Sequence, residues 1–460
     1  MTRTFCLLGL ALLAGCARSP LADDAWISPR ALASQLPAHR PPVDPPDEGR
    51  ASDSQVPAFT EPTGELALTE AWRLALLRHP ALAADGFAVR AAEARRMQAD
   101  TSPNPNIDVR LDDFGGSGSR DGFDGANLRV RLTQLIELGD KRARRVDLAS
   151  ADRTLATWDY EARRVAVAAD VTGRFVKVLA AQQRVVLCQR SLDFAQAMHQ
   201  VVEDRIKAGG LLPIERDHSQ ARLGAARINL KESQVELEAA RRLLAGTWNS
   251  DAAKFTAAAG ALAVDRPEPM DLEPLLVKLT DHPQVARFAG EIAQRQAALQ
   301  LARAGAVSDV TVGVGGRYFR NGDDHALLVE FEVPLPIFDR KEGDILEKRF
   351  AVAQARALAD AARADARTAL IEAHRDMTVA QHRDLALRQQ VLPILQSTFQ
   401  TTETQFKQGL IKLDDMLDAH RDLTKAQLEQ LNATADYHRA AAIVEGLIGQ
   451  PLNQFDAGKR

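Results

Sequence analysis

The sequence predicts a mainly α-helical protein with a small antiparallel β component, built from one unit written twice. Three observations predict it. The same motifs recur at a nearly constant offset. Each copy holds a helical stretch longer than an ordinary globular domain accommodates. Each also places two short, strictly alternating segments ahead of that stretch.

The repeat sets the frame for every element. Ala71 to Pro80 (AWRLALLRHP) is answered by Pro274 to Pro283 (PLLVKLTDHP), an offset of 203 residues, and Leu135 to Arg142 (LIELGDKR) by Leu335 to Glu342 (LPIFDRKE), an offset of 200. Lys207-Ala208-Gly209 and Lys407-Gln408-Gly409 are again 200 apart, and Leu244-Ala245-Gly246 and Leu447-Ile448-Gly449 are 203 apart. The period is too long for a solenoid, whose units run to about 50 residues. It describes a duplicated domain.

Composition narrows the function classes. With 45% hydrophobic and 26% charged residues in 460, the chain buries a core and is not disordered as a whole. A net charge of −4 gives no basic excess for nucleic acid, so no such partner is expected. Aromatics are only 5% amid abundant alanine and leucine, which favours helices. Beyond the first twenty residues no apolar run reaches the roughly 18 residues that a spanning helix needs. The signatures of common hydrolases, phosphate-binding loops and metalloproteases are absent, so no catalytic site or cofactor is expected. The histidines form no chelating pattern: His79 and His282 each precede a proline and read as turns, and His374 and His382 stand eight apart on one helix without a third ligand.

Residues 1–16 (MTRTFCLLGLALLAGC) pair a positive start at Arg3 with an apolar core from Phe5 to Leu13, as in a secretory leader. The ending Leu13-Ala14-Gly15-Cys16 resembles a bacterial lipobox, which makes Cys16 the acylated first residue of the mature chain. The plainer alternative is a signal peptide with an incidental cysteine. Ala17 follows, without the aspartate that signals inner-membrane retention, so the pattern points to an outer-membrane lipoprotein. Of the three cysteines two lie in the leader, leaving Cys188 as a small buried side chain and excluding a disulfide framework in the monomer. Eight prolines between Ala17 and Glu61 rule out a helix and predict a tether, either laid over a surface or disordered.

Each copy then runs in the same order. A helix comes first, Leu68 to Ala99 and Leu272 to Ala304. Two strands follow: Ile107, Val109 and Leu111 alternate with Asp108, Arg110 and Asp112, and Leu128, Val130 and Leu132 alternate with Arg129, Arg131 and Thr133. The second copy repeats this with Val310, Val312 and Val314, then Val329, Phe331 and Val333 around Glu330 and Glu332. The links, GGSGSRDGFDG and RNGDD, are turn formers. A long helix runs from Asp140 to Lys207, with no proline and Gly173 as its only glycine, and its apolar seams keep a heptad register. At 1.5 Å per residue it is about 100 Å long. Its counterpart spans Lys341 to Lys407, with a kink expected at Pro393. Glycine turns at Gly209-Gly210 and Gly409 reverse the chain into return helices, Ile214 to Ala245 and Asp414 to Leu447. The resulting organisation is a signal peptide (1–15), a lipidated proline-rich tether (16–64), a first repeat (65–250), a second repeat (268–450) and a tail (451–460).

Alternating strands with one aliphatic face fit a half-buried soluble sheet or a membrane barrel. In a barrel the apolar face meets lipid and the charged face lines water. Four strands cannot close alone, since the smallest such barrels have eight, whereas three chains supply twelve. Together with the leader, this favours the barrel.

The duplicated order, the VPLPIFDR motif (Val333 to Arg340) and the glycine tips resemble the TolC family of outer-membrane efflux proteins over residues 65–450. LRHPALAA (Leu77 to Ala84) and ELGDKRARR (Glu137 to Arg145) are similar to its CzcC-type heavy-metal subgroup. The resemblance implies a homotrimer with a twelve-stranded β-barrel in the outer membrane continuing into a long α-helical barrel. It implies the exit duct of a tripartite efflux pump for heavy-metal cations, with a periplasmic adaptor docking at Gly209, Gly210 and Gly409 and an inner-membrane RND transporter. Asp415 and Asp418 match the family's D-x-x-D pair and would form a periplasmic gate; a solvated acidic first turn is the alternative. The first copy carries Glu215 and His218 there instead. A channel for drugs or secreted proteins, or a poreless periplasmic scaffold lipoprotein, are the competing functions.

Overall fold

The computed structural model describes residues 34–42, 60–264, 270–279 and 283–452. Cys16, the leader, most of the tether, His282 and the tail from 453 lie outside the described residues.

The first repeat opens with a short strand β1 (Gly64–Leu66) and helices α1 (Leu68–Arg78) and α2 (Pro80–Ala99). The single helix expected over Leu68 to Ala99 is therefore two. His79 takes an extended conformation, φ −64° and ψ 120°, and Pro80 begins the next helix. The proline ring disfavours helical geometry in the residue before it, and Pro80 lacks the N–H that a continuous helix would use. In the second repeat two helices, α5 (Leu272–Lys278) and α6 (Pro283–Ala304), likewise stand where one was expected.

Strands β2 (Asn106–Asp112) and β3 (Asn127–Ile136) belong to the first repeat, β5 (Val310–Phe319) and β6 (Asp324–Glu332) to the second. They form one antiparallel sheet in the order β2-β3-β5-β6, so the β3–β5 pair joins the two copies. Ile107, Val109 and Leu111 pair with Leu132, Val130 and Leu128, and Val314 pairs with Leu132 on one side and Val329 on the other. These aliphatic residues share one face and stand in the open, with Ile107 and Phe331 both 71% exposed. An apolar face this continuous on an uncovered sheet needs lipid or another protein against it. The outer edges of β2 and β6 have no partner strand within the described chain, and hydrocarbon offers an open edge no hydrogen bonds.

The long helices are α3 (Lys141–Lys207) and its return α4 (Ile214–Ala245), then α7 (Glu342–Ala386), α8 (Leu392–Lys407) and the return α9 (Leu413–Ile448). Between α7 and α8 the backbone makes a π-helical turn, Leu387–Val391, and runs on through Pro393. The expected kink is thus taken up by a widened turn. Pro393 can donate nothing to the carbonyl four residues earlier, and the π turn moves that carbonyl clear of the ring. Just before it, fully buried Asp384 accepts hydrogen bonds from Gln430 Nε2 (2.7 Å) and Thr434 Oγ1 (2.8 Å), tying α7 to α9.

Mid-length, α3 is covered on several sides rather than along two heptad seams. Tyr160, Val167, Val171, Phe175, Val178 and Leu179 pack with Leu74, Leu76 and Leu82 of α1 and α2 and with Leu244, Trp248 and Phe255. Strand β4 (Phe255–Ala258), paired in parallel with β1, completes this collar. Away from it, Val186 of α3 is 50% exposed, while Cys188 is half-buried against the Leu192, Leu223, Ala226 and Leu230 cluster. The described part of the tether, 34–42, lies on the collar. Leu36 and Ala38 pack against the core, His39 N–H donates to Leu76 O (2.9 Å), and Tyr160 OH donates to His39 O (2.8 Å). A Cβ at Gly86 would stand 3.0 Å from Pro41 Cδ, so the tether approaches α2 as closely as a glycine allows.

Candidate functional site

The helical hairpins α3/α4 and α8/α9 end side by side at the pole away from the sheet. Each long helix stops at a glycine in the left-handed region, Gly209 at φ +71° and Gly409 at φ +76°. Gly209 N–H bonds Ile206 O (3.0 Å) and Gly210 N–H bonds Arg205 O (2.8 Å); Gly409 and Leu410 repeat the pattern on Phe406 O (3.0 Å) and Gln405 O (2.9 Å). This satisfies carbonyls that a helix end leaves without donors, and a left-handed residue is cheapest as glycine. Beyond the turns Leu212 and Leu410 are each 70% exposed.

An apolar cluster joins the two tips: Val202 from α3, Phe406 from α8, and Leu413 and Met416 from α9, with Phe194, Met198 and Phe399 against it. The Arg205 guanidinium lies 4.2 Å from the Phe406 ring centroid. His420 stacks on Phe194 at 3.7 Å and meets Phe399 edge-on, and burial pushes its pKa down to about 4. A neutral imidazole between two rings is a packing element.

The three tip aspartates are placed differently. Asp415, at the third position of α9, folds back on its own helix start and accepts a hydrogen bond from Lys412 N–H at 3.2 Å. Asp418 lies 3.1 Å from Arg421, one turn on. Both carboxylates are exposed, on one face of α9. Asp414, unremarked in the sequence, is the one that crosses between hairpins, meeting Arg222 of α4 at 3.0 Å. Arg222 sits two turns beyond the first tip, and nothing in its spacing announces the partner. Glu215 and His218, the first-copy counterparts, pair with each other at 3.7 Å.

The other histidines have local tasks. His79 N–H closes α1 on Ala75 O (2.8 Å), and His374 Nε2 meets Met270 O at 2.5 Å while His382 points outward. Among the described residues no group of three His, Cys, Asp or Glu side chains stands close enough to hold a metal ion.

Opposite the tips, the sheet face away from the aliphatic residues is charged. Arg131 of β3 lies 3.5 Å from Asp108 of β2 and, reaching over β5, bonds Glu330 of β6. It can reach because the β5 residues on that face, Gly313 and Gly315, carry no side chains. A lipid-facing side, a water-facing side and two open edges, continued by helices of about 100 Å, are the parts of a transmembrane conduit.

The family model described as outer membrane efflux protein matches residues 71–250 and 278–450, most of the chain and both repeats. The chain is an outer membrane efflux protein. This efflux protein is 30% identical over 406 residues to the cobalt-zinc-cadmium resistance protein CzcC of Cupriavidus metallidurans, covering 86% of this chain and 93% of that one. It is 25% identical over 280 residues to the nickel-cobalt-cadmium resistance protein NccC of Alcaligenes xylosoxydans, covering 60% and 63%. Crystal structures of CusC share its fold at a TM-score of 0.71 with 14% identity, over 88% of this chain and 99% of that one. The Campylobacter jejuni outer membrane channel CmeC does so at 0.71 with 13% identity, over 90% and 94%. The trimeric barrel is inherent to the family, so the open edges of β2 and β6 are the seams at which three efflux-protein copies close twelve strands.

Proposed function

We propose that this protein is the outer-membrane exit duct of a tripartite pump exporting heavy-metal cations. It works as a homotrimer with a periplasmic adaptor and an inner-membrane RND transporter, held to the outer membrane also by lipid on Cys16. The observation that carries the cargo is the 30% identity to CzcC across 86% of the chain. A duct holds its cargo weakly, because conduction requires release, and the scattered histidines suit that.

In the trimer Asp415 and Asp418 form two rings of three carboxylates at the periplasmic mouth. Their exposure and shared helical face support this; their partners at 3.2 and 3.1 Å are on the same helix or its start, leaving them free of the neighbouring hairpin. Gly209, Gly210 and Gly409 shape the adaptor-docking tips, where exposed Leu212 and Leu410 offer the apolar contact.

Deleting the gene and growing the strain on zinc, cobalt, cadmium, copper and silver salts tests the cargo. Lost tolerance to at least one metal, restored by the intact gene, is expected. Full tolerance to all of them beside new sensitivity to dyes or antibiotics would assign the duct to another cargo.

A further inference from the structure

The water-facing side of the sheet carries a row of three arginines that metal export does not call for. Arg110 on β2, Arg129 on β3 and Arg317 on β5 are direct register partners on three consecutive strands, and Ala326 on β6 completes the row. Like charges placed opposite one another destabilise a sheet. The next row toward the helices avoids this, since there Arg131 is held by Asp108 and Glu330. In the arginine row Arg110 comes only to 4.0 Å from Asp108. Among the described residues neither Arg129 nor Arg317 has a carboxylate within 4.0 Å, and the Nε of each is buried without a hydrogen-bond partner. The Arg317 guanidinium lies 5.6 Å over the Phe319 ring.

The family's barrel turns this row into a belt of nine guanidiniums, three from each protomer. Strands about 4.8 Å apart and tilted about 40° give a backbone ring about 24 Å across, on which the register-paired arginines of one protomer stand about 5 Å apart at Cα in a slanting row. Cations so close in a narrow water-filled wall lower their mutual repulsion by sharing an anion. The planar guanidinium fork suits the oxygen pairs of phosphate and carboxylate groups. We propose that the arginine belt is a binding site for multivalent oxyanions of the phosphate class inside the outer mouth of the channel. Asp112 and Asp324, one row nearer the extracellular loops, add six carboxylates that oppose the anion and tune its affinity. The proposal rests on the barrel and stands whether or not the cargo is metal or the tips gate the pore.

Calorimetric titration of the purified full-length trimer in uncharged detergent with tripolyphosphate tests it. Binding that weakens with added salt is expected. The triple variant Arg110→Gln/Arg129→Gln/Arg317→Gln should weaken it on the order of tenfold or more, and Asp112→Asn/Asp324→Asn should tighten it. If the triple variant does not assemble, Arg129→Gln alone and the aspartate pair decide, through shifts in opposite directions. No binding by the wild-type trimer, or unchanged binding by the assembled variants, overturns the proposal.

Discussion

Replacing Arg164 by alanine is expected to destabilise the protein by about 3–5 kcal/mol, the usual cost of removing one partner from a buried ion pair. Arg164 is 1% exposed and Glu161, three residues earlier on α3, is 2% exposed. The guanidinium donates from Nε at 3.1 Å and from Nη2 at 3.0 Å to Glu161 Oε2. Truncation takes from the buried Glu161 carboxylate the charge and the hydrogen bonds that Arg164 supplies, and desolvation of that carboxylate dominates the loss. The double variant Glu161→Leu/Arg164→Met removes both charges at similar volume and should recover most of the stability. The temperature at which the trimer dissociates on a gel reads both effects. Equal dissociation of Arg164→Ala and wild type would mean that water reaches Glu161.

Gly315→Val is expected to abolish the assembled trimer. A Cβ at Gly315 would lie 2.4 Å from Val130 O and 2.9 Å from Arg131 Cα. Both are backbone atoms of β3, which cannot turn aside as a side-chain end can, and the β3–β5 pair is the joint between the repeats. Overpacking typically costs about 1–3 kcal/mol, and a clash with backbone atoms puts this one at the upper end. Its neighbour provides the control. At Gly316, on the lipid-facing side, a Cβ meets only Ala326 O at 3.9 Å, so Gly316→Val should assemble. Equal amounts of both variants in the outer-membrane fraction would contradict the observed register.

The contrast between neighbouring glycines also shows what the sequence can and cannot convey. Alternation around Val109, Val130 and Val329 marks the strands and their apolar face because period two is written locally. The glycine tips are legible for the same reason, since a left-handed residue after a long helix is a local demand. Long-range partners are not. Strands β1 and β4 are three and four residues long and meet only because α3 and α4 return the chain. Docking of residues 34–42 depends on a groove shaped by α1, α2 and α3, so a proline-rich count leaves open whether the tether lies on a surface and cannot say on which. The break at His79-Pro80 was available from the proline rule, but the apolar period on both sides reads as one helix. At the tip, motif resemblance selects Asp415 and Asp418. The ion pair between hairpins falls to Asp414 because helix phase turns that residue toward Arg222.

Single-channel recording in planar bilayers, comparing the wild-type trimer with Asp415→Ala/Asp418→Ala, tests most directly whether the protein is a duct with a carboxylate gate. Six carboxylates around one axis attract cations and repel each other, so removing them should raise conductance, abolish cation preference and relieve block by divalent or trivalent ions added from the tip side. Removing Asp415 also removes its hydrogen bond to Lys412 N–H at the helix start, and Asp415→Asn/Asp418→Asn, which keeps an acceptor oxygen there, separates that effect from charge. Higher conductance without block in both variants is the predicted result. Wild-type conductance with wild-type block in both would contradict it and leave the two aspartates as a solvated helix start.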